Sequence, residues 1–181
     1  MAFWGNGSLH QRVIALTPRL HIIARSWGCS PDLCDDLVQE TLATALNKIS
    51  QLRKEAALEV WVIRILTNNH RLYLRQHQYL SPLDNDELID ELDPQYNLDV
   101  QQTIDLVRAA IGLLNDEQRK VLTLVDMEGF SYQEVADILE IKIGTVMSRL
   151  SRARTQLRKI INDIAEKNNP VKTHPELWRI K

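Results

Sequence analysis

The chain of 181 residues is 44% hydrophobic and 25% charged, and its 22 Lys and Arg nearly balance 24 Asp and Glu. This is the composition of a folded globular protein of one or two domains, not of a disordered chain. No apolar run approaches the ~18 residues of a membrane span, and Met1–Ser8 offers no basic or long apolar leader, so the expected location is the cytoplasm.

Helical periodicity runs through the first half. Leu9, Val13, Leu16, Leu20, Ile23 and Trp27 step by four and three, the stripe of one helix ending near Gly28. Ser30-Pro31-Asp32 starts a second helix with Val38, Leu42, Ala45 and Ile49 inward. A third runs from about Glu55 to His77, and its apolar stretch between Leu58 and Leu66 requires extensive burial. Cys29 and Cys34 match no redox or zinc spacing and are expected to be free. The histidines lack the partners of a metal site, and neither a phosphate loop nor a nucleophile with its base is recognisable. No metal, cofactor or enzymatic activity is expected.

Charge marks the boundary between two units. Residues 1–81 carry nine Lys/Arg and six Asp/Glu, whereas residues 82–107 carry eight acidic residues and no basic ones. Ser81-Pro82 and Asp93-Pro94 discourage helix there. The expected fold is all-α, with two small helical domains, 1–80 and 99–166, joined by a flexible acidic linker at 81–98. A tail follows at 167–181. The two halves are expected to pack separately.

Beyond the linker, Val100, Ile104, Val107, Ile111 and Leu114 form another stripe. Asn115 with Gln118 caps a helix that Gly129 ends, and Ser131 with Glu134 forms a second capping box. After a break at 140–143, a long helix carries Ile143, Val146, Leu150, Ala153, Leu157, Ile161 and Ile164 on one face. Short helix, tight turn, longer helix is a helix-turn-helix. The opposite face presents Thr145, Ser148, Arg149 and Arg152, with Arg154 beside them, residue types suited to base edges and phosphates in a major groove. Charge alone is equally consistent with a solvated basic face.

These residues carry a family likeness. Phe130-Ser-Tyr-Gln-Glu-Val-Ala-Asp-Ile-Leu139 with Gly144-Thr-Val-Met-Ser-Arg149 and Arg152-Ala-Arg154 resembles region 4 of the extracytoplasmic-function sigma factors. Asp35-Asp-Leu-Val-Gln-Glu-Thr41, with Trp61-Val-Ile-Arg-Ile65, Asn69 and Arg75, resembles region 2 of the same group. The resemblance implies an alternative sigma factor that binds core RNA polymerase through the β′ clamp and β flap and directs it to promoters. An anti-sigma factor is the further implied partner. Asp35, Asp36, Leu37, Gln39 and Glu40 would dock the polymerase. Gln51, Arg53 and Lys54, in the loop that captures a flipped base, and Arg64, Asn68, Asn69, Arg71 and Arg75 would melt the −10 element. Lys142, Thr145, Met147, Ser148, Arg149, Arg152 and Arg154 would read the −35 element.

Departures from the family pattern stand out. Glu140 occupies a usual glycine position, Lys142 a usual Pro or Ser, and Met147 a position often basic or polar, so a −35 readout different from the usual GGAAC-type element is expected. The rival reading is a helix-turn-helix regulator binding a palindromic operator without polymerase, which leaves the region 2 motifs unused.

Overall fold

The computed structural model describes residues 8–78 and 107–168, and every element among them is helical. The linker at 81–98 and the chain beyond Asn168 lie outside the described residues. The first apolar stripe folds as two helices rather than one, α1 (Leu9–Ala15) and α2 (Thr17–Ser26). Pro18 causes the break, because it has no N–H for the Ile14 carbonyl; that carbonyl accepts the Thr17 hydroxyl at 2.6 Å instead. α3 (Pro31–Asn47) starts as the sequence reads, with Pro31 in its first turn and the Ser30 hydroxyl accepting from the Leu33 amide. A 3₁₀ turn at Glu55–Ala57 precedes α4 (Leu58–Gln78).

The second half contains α5, described from 107 to 112, then α6 (Asp116–Leu122) running into a π turn at Thr123–Met127. Gly129, at φ 75°, ends that run. α7 (Tyr132–Leu139) and α8 (Ile143–Asn168) make the helix-turn-helix. Asn115 caps α6 as read, its side chain accepting from the Gln118 amide at 2.9 Å, but without the reciprocal bond from Gln118, whereas Ser131 and Glu134 bond reciprocally. The Ser131 hydrogen bonds hold the Glu134 carboxyl below the usual carboxylate range. The turn between α7 and α8 places Glu140 at φ 56°, ψ 45°, a left-handed conformation that glycine adopts without the Cβ clash.

The expectation of separate packing is overturned. One apolar core runs through both halves, with Leu20, Ile23, Ile63 and Leu66 joined to Val121, Leu124, Val135 and Ile138. α4 explains the difference, since it lies along α3 on one side and α7 on another. Its long apolar stretch needs two partners, and the second half of the chain supplies the second. A smaller cluster of Ala110, Ile111, Leu114, Leu122, Ala153 and Ile160 ties α5 and α6 to α8.

Cations fasten the seam by capping helix C-termini, where unpaired carbonyls and the helix dipole favour positive charge. Arg119 donates to the Trp27 carbonyl at the end of α2 and to the Leu114 carbonyl, each at 2.8 Å. Arg64 Nε donates to the Asp137 carbonyl at 2.7 Å and Arg71 to the Leu139 carbonyl, both in the last turn of α7. Arg19 pairs with Glu128 at 2.7 Å while lying 4.8 Å from the centre of the Phe130 ring.

The middle of the seam is polar and buried. Lys120, 3% exposed, pairs with Asp116 at 2.7 Å and lies 5.4 Å from the Trp27 ring centre. Burial lowers its pKa below the usual lysine value. His70 joins this group, its ring centre 5.4 Å from that of Trp27. Burial first, and the charge of Lys120 next, push its pKa down to about 4.

The neutral imidazole makes the fold sensitive to acid. The folded value lies below the ~6.5 of an unfolded histidine, so between the two the unfolded chain binds the extra proton. This contribution is intact above that window and is lost as pH falls through it. Wild type is expected to lose about 2 kcal/mol more stability than His70→Gln between pH 7 and pH 5. Equal pH dependence in denaturant titrations of the two proteins would contradict a buried neutral His70.

Candidate nucleic-acid and polymerase interfaces

The exposed face of α3 carries Asp35, Asp36, Gln39 and Glu40 on successive turns. His21 Nε2 lies 2.9 Å from the Asp35 carboxylate, and Thr44 donates to Glu40 at 3.3 Å, so the face is partly ordered by its own contacts. Leu37 does not belong to it. It is 5% exposed and belongs to the apolar core, because its position falls on the buried side of α3 with Cys34 and Val38. A docking surface on α3 is therefore acidic and polar, without that leucine.

The residues read as −10 contacts divide into three groups. Gln51, Arg53, Lys54 and Arg64 line a cavity of about 340 Å³ with Leu52, Val60 and Trp61. Its cations and half-buried indole suit a single-stranded base, which needs a stacking plane and a nearby positive charge. The cavity's remaining wall includes Asp137 of α7. Asn68 and Arg75 are exposed on α4. Asn69 and Arg71 depart from the expected open face. Asn69 turns inward and donates to Thr41 Oγ1 at 3.2 Å, tying α4 to α3. Arg71 is drawn to the α7 terminus, where Glu140 lies 3.9 Å away. Arg64 is likewise covered by α7 while it bonds Asp137.

On α8, Thr145, Ser148, Arg149 and Arg152 meet at one cavity of about 240 Å³, together with Asn115, Glu117 and Gln118 from the start of α6. Glu117 pairs with Arg149 at 2.7 Å, across a site whose other cation is Arg152. Lys142 and Met147 are exposed at the start of the helix. Arg154 stands apart. It makes a bidentate pair with Asp126 at 3.0 and 2.6 Å, which raises its pKa and spends its fork within the protein. Its expected phosphate contact thus competes with an ion pair to the π turn.

Glu117, Asp126 and Asp137 are the site residues that sequence reading missed. Each is an ordinary surface acid at its own position, and only the return of α8 and the docking of α7 bring them to basic partners. Among the described residues there is no cluster of three potential metal ligands and no helix long and apolar enough to cross a membrane.

Comparison with known proteins matches these two units. Residues 13–79 match Sigma-70 region 2, and residues 104–157 match Sigma-70, region 4. The ECF RNA polymerase sigma factor EcfG of Rhodopseudomonas palustris is 34% identical over 155 residues, covering 85% of each chain. SigM of Mycobacterium tuberculosis is 30% identical over 145 residues, 79% of this chain and 71% of that one. Among solved structures, the sigma factor RpoE in complex with the anti-sigma factor NepR from Bartonella quintana has a TM-score of 0.69 and 29% identity. That match covers 84% of this chain and 95% of the other. CnrH in complex with the cytosolic domain of CnrY shares the fold, with a TM-score of 0.63 over 86% of this chain and 88% of that one, at 23% identity. An operator-binding regulator finds no support here, because region 2 would have no task. A region 2 and a region 4 in this order, on an all-helical frame, make the chain a member of the ECF RNA polymerase sigma factors, an alternative sigma factor that directs transcription initiation.

Proposed function

We propose that this sigma factor divides its work among three surfaces. The exposed acids of α3 dock core polymerase at the β′ clamp, and the second half approaches the β flap. The cavity formed by Gln51, Arg53, Lys54 and Arg64 holds a base extruded from the −10 strand, with Trp61 as its flat wall. The start of α8 enters the major groove of the −35 element. The observation that carries this reading is the convergence of four predicted −10 residues on one cavity large enough for a base. The factor supplies no catalytic group, and bond formation belongs to the polymerase. It acts in the cytoplasm, where polymerase and promoter are.

The closed arrangement adds a step. Arg64 and Arg71 serve α7 and DNA by the same donors, so α7 leaves α4 when that face takes the melted strand. An anti-sigma factor is the expected partner that favours the closed form, in keeping with the NepR and CnrY complexes of the relatives.

Asp36→Ala with Gln39→Ala tests the α3 surface. Both side chains are exposed, so the melting temperature is expected to stay within about a degree or two, as surface substitutions shift stability by less than ~0.5 kcal/mol. Affinity for core polymerase is expected to fall about tenfold or more, on the scale of interface residues that matter. Undiminished binding in a titration of labelled chain with core enzyme would remove α3 from the interface.

A further inference from the structure

The start of α8 displays two large apolar side chains that folding does not use. Ile143 is 45% exposed and Met147 53% exposed, while Val146, Leu150 and Ala153 on the same helix are buried. The sequence pattern assigns Ile143 to the inner stripe, and the structure places it outside, one turn from Met147 on the same side of the helix. Between them Gly144 faces open space, with no atom within 4 Å of where a Cβ would stand. Lys142 is exposed directly before the pair, and Arg149 and Arg152 follow it.

An exposed apolar pair on a helix that Lys142 precedes, and whose other side carries Arg149 and Arg152, calls for a partner that is itself a polyanion with an apolar spot. Duplex DNA fits this description. Its phosphates match the three cations, and the C5-methyl of thymine is the one apolar group on the major-groove edge of a base pair. An apolar protein groove would have to desolvate Lys142 as well.

We infer that Ile143 and Met147 are specificity-determining residues that read thymine methyl groups in the −35 element. The inference rests on α8 being the −35 helix. Gly144 lies beside the pair on the open side of the helix, and its missing side chain lets the helix approach the base edges closely. Arg149 and Arg152 then supply hydrogen bonds at neighbouring positions. Selectivity at the methyl positions follows from apolar contact alone, so it depends on the methyl group and not on the hydrogen-bonding pattern of the base.

Replacing thymine by uracil removes only that methyl, which separates the two contributions. The probe is a promoter whose −35 element has been selected from a randomised pool by the complete holoenzyme, with each −35 thymine of either strand changed in turn to deoxyuridine. Wild-type holoenzyme is expected to lose about fourfold in promoter binding at one or two of these positions, the ratio that burial of one methyl group carries. Ile143→Thr with Met147→Gln is expected to bind thymine and uracil promoters equally, while still distinguishing base changes at positions read by arginine. Wild type indifferent to every uracil change, yet sensitive to −35 base substitution, would overturn the methyl reading and leave α8 in the groove. Indifference to base substitution as well would overturn both. Weaker association of the double variant with core polymerase in the absence of DNA would assign the pair to a protein contact and likewise overturn the inference.

Discussion

Trp27→Ala is expected to destabilise the whole protein by about 3–5 kcal/mol, the usual cost of emptying a buried tryptophan site. Trp27 is 2% exposed and occupies the seam between the halves. Its ring contacts His70 of α4 and faces the Lys120 ammonium of α6, and its carbonyl takes the Arg119 guanidinium. Truncation removes the apolar and cation–π contacts together and opens a cavity next to a buried lysine. Against a total stability of about 5–15 kcal/mol, that is a large fraction. The consequence reaches beyond region 2. With one continuous core, amide exchange in α6, α7 and α8 is expected to accelerate along with that in α1 to α4. Acceleration confined to residues 8–78 would show that the halves are stabilised independently.

That result bears on what sequence reading could reach. The helices, their caps and the helix-turn-helix were legible because each is governed by local rules. Ser30, Asn115 and Ser131 all cap the helices they precede. Pro18 was the overlooked local signal, since an unbroken apolar stripe across it hid the missing donor. The seam was not legible. Arg64 and Arg71 read as DNA-facing cations, Arg119 gives no signal, and nothing nearby in the chain reveals that helix C-termini remote in sequence would claim them. The acidic segment pointed to a tether, which bears on connection and is silent on whether the connected parts touch.

The same distinction governs the arginines proposed to read the −35 element. Arg149→Ala is expected to cost about 1–3 kcal/mol at the preferred −35 sequence and to relax preference at one position, as loss of a bidentate base contact does. Arg152→Ala is expected either to do the same at a neighbouring position or, where it grips phosphate, to weaken all sequences alike and lower the salt slope by about one. Glu117 sharpens the expectation for Arg149. The 2.7 Å pair holds the guanidinium at the mouth of the cavity, and Arg149→Ala leaves that carboxylate unneutralised next to DNA phosphates. Arg154→Ala is expected to act differently, removing the bidentate pair with Asp126 while leaving base preference unchanged. Equal promoter strength for wild type and the Arg149→Ala, Arg152→Ala double variant across a −35 substitution series would remove α8 as the reader.

The most direct measurement is run-off transcription with purified bacterial core polymerase and the full chain on a promoter carrying its selected −35 and −10 elements. A single discrete transcript is expected only when the chain is added, lost when either element is scrambled and reduced at least tenfold by combined Arg64→Ala and Lys54→Ala. Absence of any chain-dependent transcript, with the chain alone protecting a palindromic duplex, would contradict the assignment of these helices to promoter-directed initiation.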